Sequence, residues 1–425
     1  MIMNNKNYFV ANNKRNFKTI LISQLFSNLT SLIILFLGLF YLSPDKYVEI
    51  QLVMSYLVFS GFIHLGLIDG MELRISGSSL DKKPYGFYTL ALFILSSLPC
   101  IIYSILYYKN LDTNILFAFL AFPLINMNAF FVVLLRSFGF SWIAACGITY
   151  EKIIVIFYLL FTATYASDYL IFFIYATTIS FLYYAIKLYK IGINFDFGID
   201  INKMFSDLKS GSTLMMSNIL YSIISSGSII IAANYFGDGE VSKLAIAISF
   251  INLFIGLSTQ FSNVLFPLLS NQKKISGKVN HDEYIKILEK YVPLLVFLAI
   301  ISLYFGDFFL KDLFTNKDIL KYVFLFIPIT YFEIKNQILN IVIIKLEKQI
   351  NNYLIINFSS ALVCVLSLIY SNYFFDNDVL MFLYALIFSF VFRFIFLSLY
   401  CRTIRYLDYL LILLFCIYLY ILKGC

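Results

Sequence analysis

Apolar residues run through this chain in long blocks, and polar residues gather between them. Twelve blocks reach the ~20 mostly apolar residues that a helix needs to cross a bilayer. They cover 17–42, 47–67, 85–108, 114–135, 141–165, 169–189, 212–236, 241–269, 284–305, 319–344, 351–373 and 379–400. A thirteenth run, 406–422, is shorter and interrupted by Asp408. It reads as a final span or as a helix lying in the interface. The blocks are continuous rather than alternating, so they predict helices and not barrel strands. The expected fold class is an all-α polytopic membrane protein.

The polar stretch 190–211 divides these spans six and six. The expected organisation is an N-terminal six-helix lobe over 1–189, a cytoplasmic linker over 190–211, a C-terminal six-helix lobe over 212–400 and an extra C-terminal helix over 401–425. The halves show weak similarity at an offset of about 194 residues, with one long span ending at Ser43-Pro44-Asp45 and its counterpart at Gly237-Asp238-Gly239. Six is even, so both halves enter the membrane in the same direction. Repeats of that kind predict two pseudo-symmetric lobes around a central cavity.

Composition agrees with lipid as the solvent. Hydrophobic residues make up 61% and charged residues 13%, and mean hydropathy is +0.86, which excludes a soluble enzyme and a soluble nucleic-acid binder. The net charge of +7 then reads as topology. With the N-terminal side called "in", 21 of the 31 Lys and Arg fall on in-side ends and loops and seven on the other side. Positive charge stays cytoplasmic, so the N-terminus is expected to be cytoplasmic. The basic stretch 1–18 precedes an apolar run too long for a signal peptide, which reads as a retained first span. None of the six cysteines forms a C-x-x-C pair, and His64 and His281 stand far apart, so neither a zinc site nor a metal cofactor is expected. Every loop is too short for a catalytic domain, and no Gly-rich phosphate loop is present, so neither an enzyme nor an ATPase is expected.

Several stretches carry a family likeness. Gly66–Gly77 reads GLIDGMELRISG at the end of the second span. Asn234–Lys243 reads NYFGDGEVSK, followed by an apolar span and FPLLS at Phe266–Ser270. Asn336–Tyr353 ends in KLEKQINNY. In these the chain resembles the O-antigen flippases of the multidrug/oligosaccharidyl-lipid/polysaccharide exporter superfamily, over nearly its whole length. The resemblance implies that an undecaprenyl-pyrophosphate-linked oligosaccharide is turned from the cytoplasmic to the periplasmic leaflet of a bacterial inner membrane. Relatives commonly carry an acidic residue within the seventh span. Here Ser225-Ser226-Gly227-Ser228 occupies that region, which puts an ion-coupling site there in question.

Ionisable side chains at membrane depth cost ~2.5–3.5 kcal/mol on insertion scales, so each is a candidate. Glu151 and Lys152 lie half-way along the fifth span, with Lys152 suited to pyrophosphate or a sugar acid. Glu333, Gln337 and Asn340 fall at i, i+4 and i+7 on one face of the tenth span, a polar stripe suited to sugar hydroxyls. Lys335 lies off that face, near enough to the cytoplasmic end to snorkel. Arg393 is deep in the twelfth span and suits a diphosphate through its bidentate donors. Arg74 and Arg136 sit at cytoplasmic span ends, as anchors or as groups meeting the pyrophosphate, with Asp69 and Glu72 the expected partners of Arg74 or part of a gate. The expected protein is a flippase working by alternating access without a cofactor. Its partners would be the lipid-linked oligosaccharide, the bilayer, H+ or Na+ as coupling ion and a polysaccharide polymerase. The alternative is an ion-coupled multidrug extrusion antiporter with an acidic cavity.

Overall fold

In the computed structural model, regular structure among the described residues is helical, with no strand. The structure describes residues 42–76, 85–107, 113–161, 166–193, 201–237, 239–249, 350–374 and 379–400, with scattered positions in 26–38, 195–198, 252–273 and 329–340 and residue 412. Its helices are α1 (Pro44–Ser60), α2 (Leu67–Ile75), α3 (Gly86–Leu106), α4 (Thr113–Ser137), α5 (Ser141–Phe161), α6 (Ala166–Ile191), α7 (Ile201–Ile224), α8 (Ser226–Ala233), α9 (Ile350–Phe374) and α10 (Val379–Tyr400). Six of these are long and apolar enough to cross a membrane, or seven if the bent pair α7–α8 is taken as one span. The expected spans 17–42, 284–305 and 319–344, the run 406–422, and Pro267 and Pro328 lie outside the described residues apart from scattered positions.

The chain forms two compact units. One holds residues 1–219 and 263–279, the other 220–262 and 280–425. In the first, α4 packs against α3, α6, α5 and the shorter α1 and α2. Leu67, Met71, Leu92, Phe131, Tyr184 and Leu188 form one buried cluster, and Ile50, Leu57, Val155, Tyr158, Leu170 and Phe173 another. The outside is equally apolar: Phe93, Ile105, Phe157, Phe161 and Tyr175 are exposed. Lipid tails are as apolar as leucine, so burial alone does not order such helices; close backbone approach and polar pairs do.

Two local breaks depart from the expected spans, and each has a physical cause. The expected span 47–67 is helical only as far as Ser60, its last residues forming a turn that leads into α2. Pro44 opens α1 with Asp45 in its first turn, both suited to a helix N-terminus. After Ser60 the chain turns, and Leu65 and Gly66 take φ of 53° and 86° before α2 begins. Gly66 tolerates that backbone at no cost, and it also lets the chain touch the backbone of Gly211, where a Cβ would collide. The second break separates α7 from α8, bent by 47° at Ser225. Ser225 Oγ reaches the Tyr221 carbonyl oxygen at 3.4 Å and Ser228 Oγ donates to the Ser225 carbonyl oxygen at 2.5 Å. Serine hydroxyls that bond back to the helix, beside Gly227, are a recognised source of kinks.

The stretch 190–211, polar enough to read as a linker, is helical from residue 201 onward. Its polar residues hide a helical period. Met204, Asp207, Leu208 and Gly211 face inward while Asn202, Lys203, Phe205, Ser206 and Lys209 are exposed. In the second unit α9 packs along α10, Phe332 meets Phe394 with ring centroids 4.7 Å apart, and Phe236 meets Phe382 edge-on.

Candidate functional site

The candidate charges fall into three groups. In the first unit, α5 carries Glu151 and Lys152 about half-way along its 21 residues, both half-buried. Lys152 Nζ donates to the Ser27 carbonyl oxygen at 3.0 Å and to Ser27 Oγ at 2.9 Å. Among the described residues no carboxylate lies within 4.0 Å of that ammonium. Its two hydrogen-bond partners are neutral, and the carboxylate that acts on its charge, Glu151 next along α5, stays beyond 4.0 Å. Nearby, Asn128 Nδ2 on α4 donates to the Thr177 carbonyl oxygen on α6 at 2.9 Å, tying the helices that flank α5.

The second group stands where α2 crosses α7. Arg74 Nε donates to Asp207 Oδ1 at 2.9 Å, and Arg74 Nη2 to Asp207 Oδ2 at 2.7 Å. Tyr88 Oη donates to the same Oδ2 at 2.8 Å. Burial works against the guanidinium charge, but the hydrogen bonds and charge of Asp207 outweigh it and hold Arg74 above the ordinary arginine range. The helices approach closely enough for this because of glycine. A Cβ on Gly70 would enter the Asp207 carbonyl group, and one on Gly211 would enter that of Gly66. Arg136 Nη2 pairs with Glu72 Oε1 at 2.7 Å. The expectation that Asp69 and Glu72 would serve Arg74 is therefore corrected. Arg74 takes Asp207 from another helix, and Glu72 takes Arg136. Asp69 lies 3.8 Å from His64 Nε2, whose Nδ1 accepts the Gly66 N–H at 3.0 Å. Arg74 and Asp207 should couple by about 1.5–3 kcal/mol, the range for hydrogen bonds to charged groups. A double-mutant cycle of Arg74→Gln and Asp207→Asn on thermal stability measures this, and additive effects would refute it.

The third group lies in the second unit and is wholly buried. Arg393 on α10 and Glu333 are both inaccessible to solvent. Arg393 Nη1 donates to Glu333 Oε1 at 3.0 Å and Oε2 at 2.8 Å, Nε to Asn357 Oδ1 at 2.8 Å, and Nη2 to Tyr353 Oη at 3.4 Å. Glu333 also accepts from Tyr221 Oη at 3.1 Å and Asn336 Nδ2 at 2.8 Å. The guanidinium carbon stands 4.2 Å from the centroid of the Tyr221 ring, within cation–π range. Arg393 thus faces the interior of its unit, with its donors committed to protein acceptors. Asn340 is buried and Gln337 half-buried. Lys335 does not snorkel: it is 5% exposed, its Nζ 5.5 Å from the centroid of the Phe394 ring.

Of the expected residues, the structure joins Glu333 to Arg393, leaves Glu151 and Lys152 as neighbours on α5 without an ion pair between them, and gives Arg74 and Arg136 separate partners. Asp207, Ser27, Tyr221, Tyr353 and Asn357 were not singled out. Among the described residues no group of three His, Cys, Asp or Glu can hold a metal ion.

This architecture defines a class: a multi-pass, all-helical membrane protein with the fold of the MATE transporters. The likeness is to solved structures. One is a multidrug resistance MATE family transporter of the MOP superfamily in its outward-facing conformation. It matches with TM-score 0.63 at 15% identity, over 95% of this chain and 100% of that one. The eukaryotic MATE transporter AtDTX14 matches with TM-score 0.64 at 13% identity, over 95% and 97%. The Vibrio cholerae MATE transporter VcmN in its bent form matches with TM-score 0.60 at 13% identity, over 94% and 99%. No protein-family model and no curated protein matches the chain.

Proposed function

We propose that the protein is an alternating-access transporter that moves an anionic, lipid-linked oligosaccharide across a bacterial inner membrane, from the cytoplasmic to the periplasmic leaflet. The N-terminus is cytoplasmic in this reading, and the chain performs no covalent chemistry. The MATE transporter fold over 95% of the chain supports transport. Lys152 carries the choice of cargo: a cation half-way through the membrane, held by neutral Ser27 oxygens, is an attractive site for a diphosphate. H+ or Na+ is the proposed driving ion, and a polysaccharide polymerase the proposed consumer of the delivered unit.

The second reading is a multidrug antiporter, favoured by the description of one structural neighbour as a multidrug resistance transporter. It calls for acidic groups open to a cationic drug. Glu333 is neutralised by Arg393 in a closed pair, which leaves Glu151 as the membrane-depth carboxylate among the candidate site residues without a cation within 4.0 Å. Glu151 and Lys152 stand side by side as one carboxylate and one ammonium, so it is the neutral Ser27 partners of Lys152, and not a count of charges, that favour anionic cargo.

Reconstituted vesicles test the choice. A fluorescent undecaprenyl-pyrophosphate oligosaccharide is placed in both leaflets and an impermeant quencher added outside. Protein-dependent crossing of this lipid, with no uptake of an organic cation, is the expected result. Uptake of the cation with no crossing of the lipid would replace this reading with the antiporter.

A further inference from the structure

The first three turns of α7 project beyond the membrane-spanning part of their helix. Counting back ~20 residues from Ala233, the end of α8, brings a bilayer-wide segment to about residue 213. Residues 201–212 therefore lie at or beyond the edge of the hydrocarbon. Their inward face is occupied. Gly211 touches Gly66, Asp207 is bound to Arg74, and Met204 and Leu208 pack on the cluster that holds Tyr184 and Leu188 of α6. The outward face mixes exposed Asn202, Lys203, Ser206 and Lys209 with large apolar side chains. Ile201 is 52% and Phe205 62% exposed, beside exposed Lys203 and Lys209.

The end of α6 joins the same hydrophobic cluster and presents the same mixture. Tyr189 is 81% exposed, Lys190 is exposed, and Lys187 Nζ lies 5.4 Å from the centroid of the Tyr183 ring. Against Lys187, Lys190, Lys203 and Lys209 this stretch carries Asp196, Asp200 and Asp207. Asp207 is taken by Arg74, so basic charge remains in excess. Exposed aromatic and aliphatic side chains interleaved with lysine belong at a headgroup layer, where rings sit at the boundary and ammonium groups meet lipid phosphate.

We propose that the outward face of residues 201–212, with the end of α6, is a docking surface for anionic phospholipid headgroups of the leaflet it faces. Phe205 and Ile201 enter the acyl boundary, and Lys187, Lys190 and Lys209 gather the anionic lipid. The proposal rests on the helix and its charges and needs no cargo, so its failure would leave the transport reading standing.

Trp142 is the chain's only tryptophan, which gives a clean probe. In a Trp142→Phe background, Phe205→Trp reports the α7 face and, in a separate protein, Tyr189→Trp reports the α6 end. Each is reconstituted with brominated phosphatidylglycerol or brominated phosphatidylcholine diluted in plain phosphatidylcholine. The expected result is at least about twofold stronger quenching by the anionic lipid, reduced to parity by Lys187→Gln, Lys190→Gln and Lys209→Gln together. Equal quenching by both lipids before those changes would overturn the proposal, as would no quenching at either position, the result for a face that meets water or a soluble protein.

Discussion

Gly70→Ala is expected to leave little folded protein. The added Cβ would fall inside the Asp207 carbonyl group, and the obstacle is backbone, which cannot rotate aside as a side chain does. To make room, α2 and α7 must part. Parting them stretches the Arg74–Asp207 pair and withdraws Asp207 from Tyr88. Overpacking typically costs about 1–3 kcal/mol, and the weakened charge-assisted bonds add about as much again. Against a usual stability of about 5–15 kcal/mol that is a large fraction. Gly237→Ala is the control, since a Cβ there meets no atom within 4 Å. Size-exclusion profiles and thermal unfolding of detergent-extracted protein measure both. A Gly70→Ala protein as monodisperse and as heat-stable as the Gly237→Ala protein would show that the helices do not cross as closely as described.

Arg393→Ala is expected to destabilise the second unit by about 3–5 kcal/mol, the usual cost of removing one partner of a buried ion pair. Glu333 would keep only the Tyr221 and Asn336 donors in a site without access to water, and Asn357 and Tyr353 would each lose the Arg393 hydrogen bond. The loss comes from stranding a charge, so removing both charges should hurt less. The pair Arg393→Met with Glu333→Met is expected to unfold at a higher temperature than Arg393→Ala alone. Arg393→Lys should fall between, because a single ammonium nitrogen cannot replace Nη1 on Glu333, Nε on Asn357 and Nη2 on Tyr353 together. A double variant less stable than Arg393→Ala would refute the buried pair as the source of the effect.

Span positions were legible in the hydrophobic blocks because lipid imposes them, as 114–135 against α4 and 379–400 against α10 illustrate. The breaks were not. Gly66 ends no apolar run and Ser225 interrupts none, so hydropathy passes over both. The start of α7 was hidden for the opposite reason: Asn202, Lys203, Ser206 and Lys209 are polar, and only the period of Met204, Asp207, Leu208 and Gly211 reveals a helix.

Of the site, individual charges were visible and their pairing was partly encoded. Glu333 and Arg393 each lie fourteen residues into their expected spans, 319–344 and 379–400. Both spans are even-numbered and run in the same direction, so the two charges had to share a depth. Lys152, eleven residues from the start of its span, and Ser27, ten from the start of its own, match in the same way. Depth does not say which helices are neighbours. The Arg74–Asp207 pair depends on α2 meeting α7 across 133 residues of chain, and no local pattern encodes that.

The account turns on a positive charge at Lys152 receiving an anionic headgroup. Its most direct test is the crossing rate of the fluorescent undecaprenyl-pyrophosphate oligosaccharide in vesicles holding wild type, Lys152→Arg or Lys152→Gln at matched protein and matched thermal stability. A charge-assisted contact of about 1.5–3 kcal/mol predicts roughly a tenfold to hundredfold fall for Lys152→Gln at limiting cargo. Lys152→Arg, which keeps the charge, should retain most of the rate. A Lys152→Gln protein that moves the lipid as fast as wild type would contradict the account.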